Sequence, residues 1–145
     1  MPTAGSGGHR RALLVDTSVA VPLVVADHDH HASVTRTLGR RRLGLAGHAA
    51  FETFSVLTRL PSPVRREPVV VEQILRAGFP ATRFVSADDA RALLGRLASL
   101  GIAGGAVYDA LVGQVAVAHG LKLATRDGRA VDVYRMLDVD LELID

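Results

Sequence analysis

Apolar residues along the chain fall into short solid runs and longer, spaced stretches, and the alternation of the two sets the expected elements. "RALLVD" (11–16) is an apolar run closed by an acid and followed by Thr17 and Ser18, both natural helix N-caps. It predicts a buried strand that turns into a helix from about residue 19. A further helix is expected over 29–41. "LGLAG" (43–47) predicts a second short strand. "HAAFETFSVLTRL" (48–60) carries apolar positions at helical spacing until Pro61 and Pro63 end it. "PVVVEQILRAG" (68–78) predicts a helix, although its valine run also suits a strand, and "TRFVS" (82–86) predicts a third strand. Ser86 with Asp89 matches a capping box and opens a helix to about residue 100. After the break at "GIAGG" comes a helix in "GGAVYDALVGQVAVAHG" (104–120). The pattern ends with a strand in "LKLAT" (121–125), a short helix over 130–137 and a strand in "LELI" (141–144).

Short strands alternating with helices imply an α/β fold, with a mostly parallel sheet of four to five strands covered on both faces. Right-handed crossovers then put the binding crevice at the carboxyl ends of the strands. No internal repeat or linker interrupts residues 12–145, which are expected to form one domain. Residues 1–11, "MPTAGSGGHRR", lack the apolar core of a signal peptide and read as a flexible leader. The longest membrane candidate, residues 19–26, is far short of the roughly 18 apolar residues a span needs, and it contains Pro22. No membrane association is expected, and the cytoplasm is the expected compartment.

Composition narrows the chemistry. At 145 residues and 48% hydrophobic, the chain can bury a sizeable core. It has no cysteine, which excludes disulfides, thiolate metal sites and thiol catalysis. Lys122 is the one lysine, so arginine supplies the other 16 of 17 basic residues while the formal net charge is only +2. Arginine suits phosphate, but this excess alone is weak evidence for a nucleic-acid partner.

The acids are more informative. Asp16 ends the first strand and Asp127 follows "LKLAT" by two residues, both where the crevice is expected. Glu52 and Asp109 sit on otherwise apolar helices. Each has a plain explanation when taken singly. Asp16 caps a helix, Asp127 closes a turn, and Glu52 lies on a helix edge. Asp109 gains under about 1 kcal/mol from its helix dipole. As a converging set they would repel one another and raise each other's pKa. A hard divalent cation such as Mg²⁺ or Mn²⁺ resolves that repulsion, and such an ion activates water for attack at phosphorus. A metal-dependent phosphodiesterase is the leading expectation.

"LLVDTSV", "AAFETFSVL", "GGAVYDALVGQVAVAHG" and "KLATRD" follow one another as in PIN domains. From residue 12 to 144 the chain resembles that family, and within it bacterial VapC-type toxins most. The resemblance implies a three-layer α/β/α fold and a Mg²⁺- or Mn²⁺-dependent endoribonuclease acting on an RNA substrate. By the same resemblance, Asp16, Glu52, Asp109 and Asp127 match the acidic set, and Thr17, Ser18 and Thr125 match nearby hydroxyl positions. Asp16 and Asp109 are then metal positions and Glu52 a ligand through water or a water-orienting base. Asp127 serves a second ion or the outer shell. A homodimer and a cognate VapB-like antitoxin are implied as well. Phe51 and Phe54 stand where aliphatics are commoner in the family, and the prolines at 61–68 suggest a local variation.

Other features carry less. The histidines of "DHDHH" (His28, His30, His31) read as a solvated helix start rather than a metal site. Arg40, Arg41 and Arg42, the "VRREP" segment and Arg126 are candidate RNA-phosphate contacts. "GIAGG" lacks the lysine and spacing of a P-loop. A haloacid-dehalogenase-type phosphatase needs a second acid two residues after Asp16, where Ser18 stands. A receiver domain needs paired acids at strand one and a lysine late in the chain, whereas Lys122 lies inside a strand. The remaining alternative is a catalytically silent PIN-like scaffold that binds RNA or protein.

Overall fold

The computed structural model describes residues 11–145. The expected leader falls outside the described residues apart from Arg11. Four strands of three residues each make one sheet: β1 (Leu13–Val15), β2 (Leu43–Leu45), β3 (Leu123–Thr125) and β4 (Leu141–Leu143). Their order is β2-β1-β3-β4 and every pairing is parallel. The helices between them are α1 (Thr17–Val24), α2 (His31–Leu38), α3 (His48–Thr58), α4 (Pro68–Gly78), α5 (Ala87–Leu100), α6 (Ala106–His119) and α7 (Val131–Met136).

Alternation along β1 builds the three layers. Leu13 and Val15 face Val19 and Ala20 of α1 and Val34 and Leu38 of α2. Leu14 faces the opposite way, onto Leu93 of α5, Val112 and Val115 of α6 and Tyr134 of α7. All three β1 side chains are fully buried. Each such burial stabilises the fold by about 1.5–3 kcal/mol, which explains why so short a strand reads as continuous apolar sequence. Beside this core, α3 and α4 pack on each other and on the end of α1 through Leu57, Val71 and Val25.

Two glycines permit the close approaches this needs. A Cβ on Gly44 would stand 2.2 Å from the Ala81 carbonyl oxygen. Gly47 has φ +51°, and a Cβ there would lie 2.6 Å from Val115 of α6. The start of α3 therefore sits hard against α6 only because residue 47 has no side chain.

The expected third strand over 82–86 does not form. The segment runs beside β2 and donates from Ala81 N to Leu43 O and from Arg83 N to Leu45 O, leaving one isolated bridge, Ala46 to Arg83. The Thr82 hydroxyl accepts the Leu45 amide at 3.0 Å, so a side chain takes the place of a ladder carbonyl. Helix limits also shift. α1 begins at Thr17, with Asp16 as its N-cap, and α2 covers His31–Leu38 rather than 29–41. The valine run at 69–71 is helical, started by Pro68 in its first turn.

The chain passes from β1 to one side for β2 and to the other for β3, so the direction of winding reverses between β1 and β3. The carboxyl ends of two such strands flank a ready-made crevice. Asp16 follows β1, and Thr125 ends β3 with Asp127 just beyond. Among the described residues no helix is long and apolar enough to cross a membrane.

Candidate active site

The crevice is a cavity of about 280 Å³ lined by Asp16, Glu52, Asp109 and Asp127, together with Thr17, Ser18, His48, Tyr108, Val112 and Tyr134. The four acids, up to 111 residues apart in sequence (16 to 127), thus border one space. β1 and β3 bring in Asp16 and Asp127, α3 brings Glu52, and the first turn of α6 brings Asp109.

Asp16 is only 5% exposed and is held from all sides. Its Oδ1 accepts from the Ser18 amide at 3.1 Å and from the Ser18 hydroxyl. Its Oδ2 accepts from the Thr125 hydroxyl at 2.6 Å and from the Tyr134 hydroxyl at 2.8 Å. Ser18 Oγ in turn accepts from Arg126 N at 2.8 Å, and Thr125 Oγ1 from Asp127 N at 3.1 Å, which laces the ends of β1 and β3 together. Burial pushes the Asp16 pKa up, and the bonds from Ser18, Thr125 and Tyr134 only partly oppose this. The same burial, with the adjacent Asp16, holds the Tyr134 hydroxyl far above the ordinary phenol range, so it stays a donor.

The opposite wall differs. Among the described residues, neither Glu52 nor Asp109 has a hydrogen-bond partner for its carboxylate. The Asp109 pKa is raised by burial first, then by Asp127, Asp16 and Glu52, with Arg129 opposing. That three neighbouring acids all act on Asp109 is the electrostatic signature of convergence. Asp127 does two jobs: it lines the cavity, and its Oδ1 accepts from Arg129 N at 3.0 Å as a turn aspartate does.

The donor set suits a hard, oxygen-seeking ion. Among the described residues no three His, Asp or Glu side chains are arranged to grip an ion by direct contact. An open site of this kind fits an ion that keeps several waters and takes one or two carboxylates directly. The Thr17 hydroxyl oxygen, on the cavity wall, is buried and lacks a partner, leaving it free for such a water.

The remaining candidates are placed elsewhere. Arg40, Arg41 and Arg42 are exposed just before β2, at the amino ends of the strands, and Arg41 pairs with Glu142 at 3.3 Å. They are not brought to the acids. Arg126 reaches the Ser18 carbonyl with Nη1 at 3.3 Å, its Nε is buried without a partner, and it borders a small separate cavity beside Leu143 and Ile144. In the "VRREP" segment, Arg65 and Arg66 bond nearby backbone carbonyls. Of the histidines, His31 Nδ1 meets the Pro22 carbonyl at 2.7 Å, and His28 and His30 tilt against each other. Asp27 and Asp29 precede α2.

Sequence reasoning missed Tyr134, His48 and Tyr108. Tyr134 reads as core in "VDVYRML", and its one signal is that a buried tyrosine hydroxyl needs a partner. His48 and Tyr108 stack at the cavity mouth with ring centroids 4.9 Å apart.

The sequence model of the PIN domain matches residues 13–136. Ribonuclease VapC27 of Mycobacterium tuberculosis is 46% identical over 127 residues, covering 88% of this chain and 93% of the relative. Among solved structures, Mycobacterium tuberculosis VapC20, a sarcin–ricin loop cleaving toxin, superposes with a TM-score of 0.65 at 20% identity, over 83% of this chain and 93% of that one. VapBC2 from Rickettsia felis, bound to a promoter DNA fragment, gives 0.65 at 16% identity, over 92% and 99%. At these identities the structural likenesses speak for the fold alone. The family match and the close relative, on a chain whose four acids meet in one crevice, show that the protein belongs to the PIN domain family, among its VapC-type members.

Proposed function

We propose that the chain is a Mg²⁺- or Mn²⁺-dependent endoribonuclease, the toxin of a VapBC-type pair, acting on RNA in the cytoplasm. The observation that carries this reading is the meeting of Asp16, Glu52, Asp109 and Asp127 in one cavity, where the other three acids raise the Asp109 pKa. The VapC27 relative, named a ribonuclease, supports RNA as the substrate. Neighbours that are toxin–antitoxin complexes, such as VapBC2 and the VapBC of Salmonella typhimurium, support a VapB-like antitoxin as partner. A homodimer belongs to the same reading.

A bound divalent ion supplies charge neutralisation at the phosphate and lowers the pKa of water. The chain's own residues do the rest. Asp16, fixed by its four donors, and Asp109 would hold the ion, and Asp127 at the end of β3 would support it. Glu52 is exposed on α3 with its oxygens unengaged, so it orients the attacking water and accepts its proton. Thr17, Ser18 and Thr125 hold the carboxylates and the waters between them.

The test is incubation of purified protein with total RNA and Mg²⁺ or Mn²⁺, then with excess EDTA. Cleavage is expected with metal and not with chelator, and Asp16→Asn and Asp109→Asn are each expected to lower it more than about 100-fold. RNA binding without cleavage in any metal would instead establish a silent scaffold.

A further inference from the structure

We infer that the stacked pair of His48 and Tyr108 is a nucleobase platform that seats the base next to the scissile phosphate. This rests on the phosphodiesterase reading of the acidic cavity and assigns two further residues of that site to binding the substrate.

Both rings line the same cavity as the acids. His48 opens α3 and lies one helical turn before Glu52, on the same face of the helix. Tyr108 directly precedes Asp109 on α6. The two helices that carry the unpartnered carboxylates therefore also carry the two rings, and rings and carboxylates border one cavity. The rings lie 4.9 Å apart at 25°, close to parallel. Tyr108 is nevertheless 53% exposed and offers area for a further stacking partner.

Stacking explains the geometry better than hydrogen-bond readout. A base adds to a pair that is already ordered, so little side-chain freedom is lost on binding. Every base has a π-face, so such a platform tolerates sequence. An A-form duplex keeps its base faces inside the helix and cannot use the platform, whereas a splayed loop or a single strand can.

Two assays test the inference. Cleavage of single-stranded RNA is followed with Mn²⁺ for the parent protein and for Tyr108→Ala, Tyr108→Phe and His48→Ala. In the Asp109→Asn background, binding of a short single-stranded RNA containing 2-aminopurine is followed by the fluorescence lost on stacking. Tyr108→Ala is expected to raise KM roughly 5- to 100-fold with kcat little changed, the signature of lost uniform binding. Tyr108→Phe restores KM because the ring, not the hydroxyl, does the stacking, and His48→Ala gives a smaller loss in the same direction. Quenching is expected in Asp109→Asn and not when Tyr108→Ala is added, while duplex RNA binds both equally. A KM unchanged in Tyr108→Ala, with quenching that persists, overturns the platform and leaves the nuclease standing. Quenching that needs Tyr108 in a protein that cleaves nothing supports the platform and overturns the nuclease.

Discussion

The two walls of the acidic cavity are built on opposite principles. On the sheet side, Asp16 is buried and takes hydrogen bonds from Ser18 twice, Thr125 and Tyr134, so both of its oxygens are anchored by the protein itself. On the helix side, Glu52 and Asp109 have no such bonds, and Asp109 is pushed toward its neutral form by burial and three neighbouring acids. The first wall is held in place without a ligand. The second is left electrostatically open, and what binds there supplies the missing counter-charge. A cavity divided in this way keeps one anchor fixed during folding and reserves its unmet charge for the ligand.

The largest effect that separates the walls is metal-linked stability. An ion at one hundred times its dissociation constant stabilises the folded state by about 2.7 kcal/mol. For a chain of this size that raises the melting temperature by roughly 5–10 °C. Mn²⁺ is expected to give a rise of this order in the parent protein, and Asp109→Asn to remove most of it. An equal rise in both, read by calorimetry or dye melting, would mean the helix wall is not where the ion is held.

Tyr134→Phe probes the sheet wall and should show the reverse pattern. The substitution keeps the ring in the core and deletes one donor to a buried carboxylate, a bond worth about 1.5–3 kcal/mol when its partner is charged. Metal-free melting is expected to fall by roughly 3–10 °C, with the Mn²⁺-induced rise still present. If Tyr134→Phe melts with the parent, the hydroxyl is not what fixes Asp16, and the contrast between the walls loses its basis.

How much of this was legible in the sequence follows the same division. The strand–acid–helix signal at 13–18 was plain because a buried three-residue strand is wholly apolar and its closing acid caps the next helix. The acids of α3 and α6 stood out because charge on an apolar helix needs a reason. "TRFVS" read as a strand because its composition is right. What the pattern could not register is that the Thr82 hydroxyl would replace a ladder carbonyl, since that depends on where β2 lies. The candidate basic residues Arg40, Arg41 and Arg42 carry the right charge, but they immediately precede β2 and so lie at the amino ends of the strands, away from the acids. Tyr134 was hidden for the opposite reason. Its apolar neighbours make it look like core, and it is core except for one hydroxyl that meets an acid 118 residues away.

The smallest effect is the sharpest test of the open wall, because it needs no ligand. A carboxyl whose folded pKa is raised holds its proton more tightly in the folded than in the unfolded chain. The stability this brings is fully present below the unfolded value near 3.8 and is lost as pH rises through the raised folded value. At neutral pH the metal-free parent therefore carries the full repulsion at Asp109, and Asp109→Asn, which leaves no donor unanswered, does not. The variant should melt at the same temperature as the parent or slightly higher at pH 7, and the gap should close as pH falls toward 4 and the parent's own carboxyl becomes neutral. Asp16→Asn cannot serve the same purpose, because an amide nitrogen would face donors that now meet a carboxylate oxygen. A metal-free Asp109→Asn that melts several degrees below the parent at neutral pH would show that the carboxylate of Asp109 supports the fold itself, and the helix wall would then be as self-sufficient as the sheet wall.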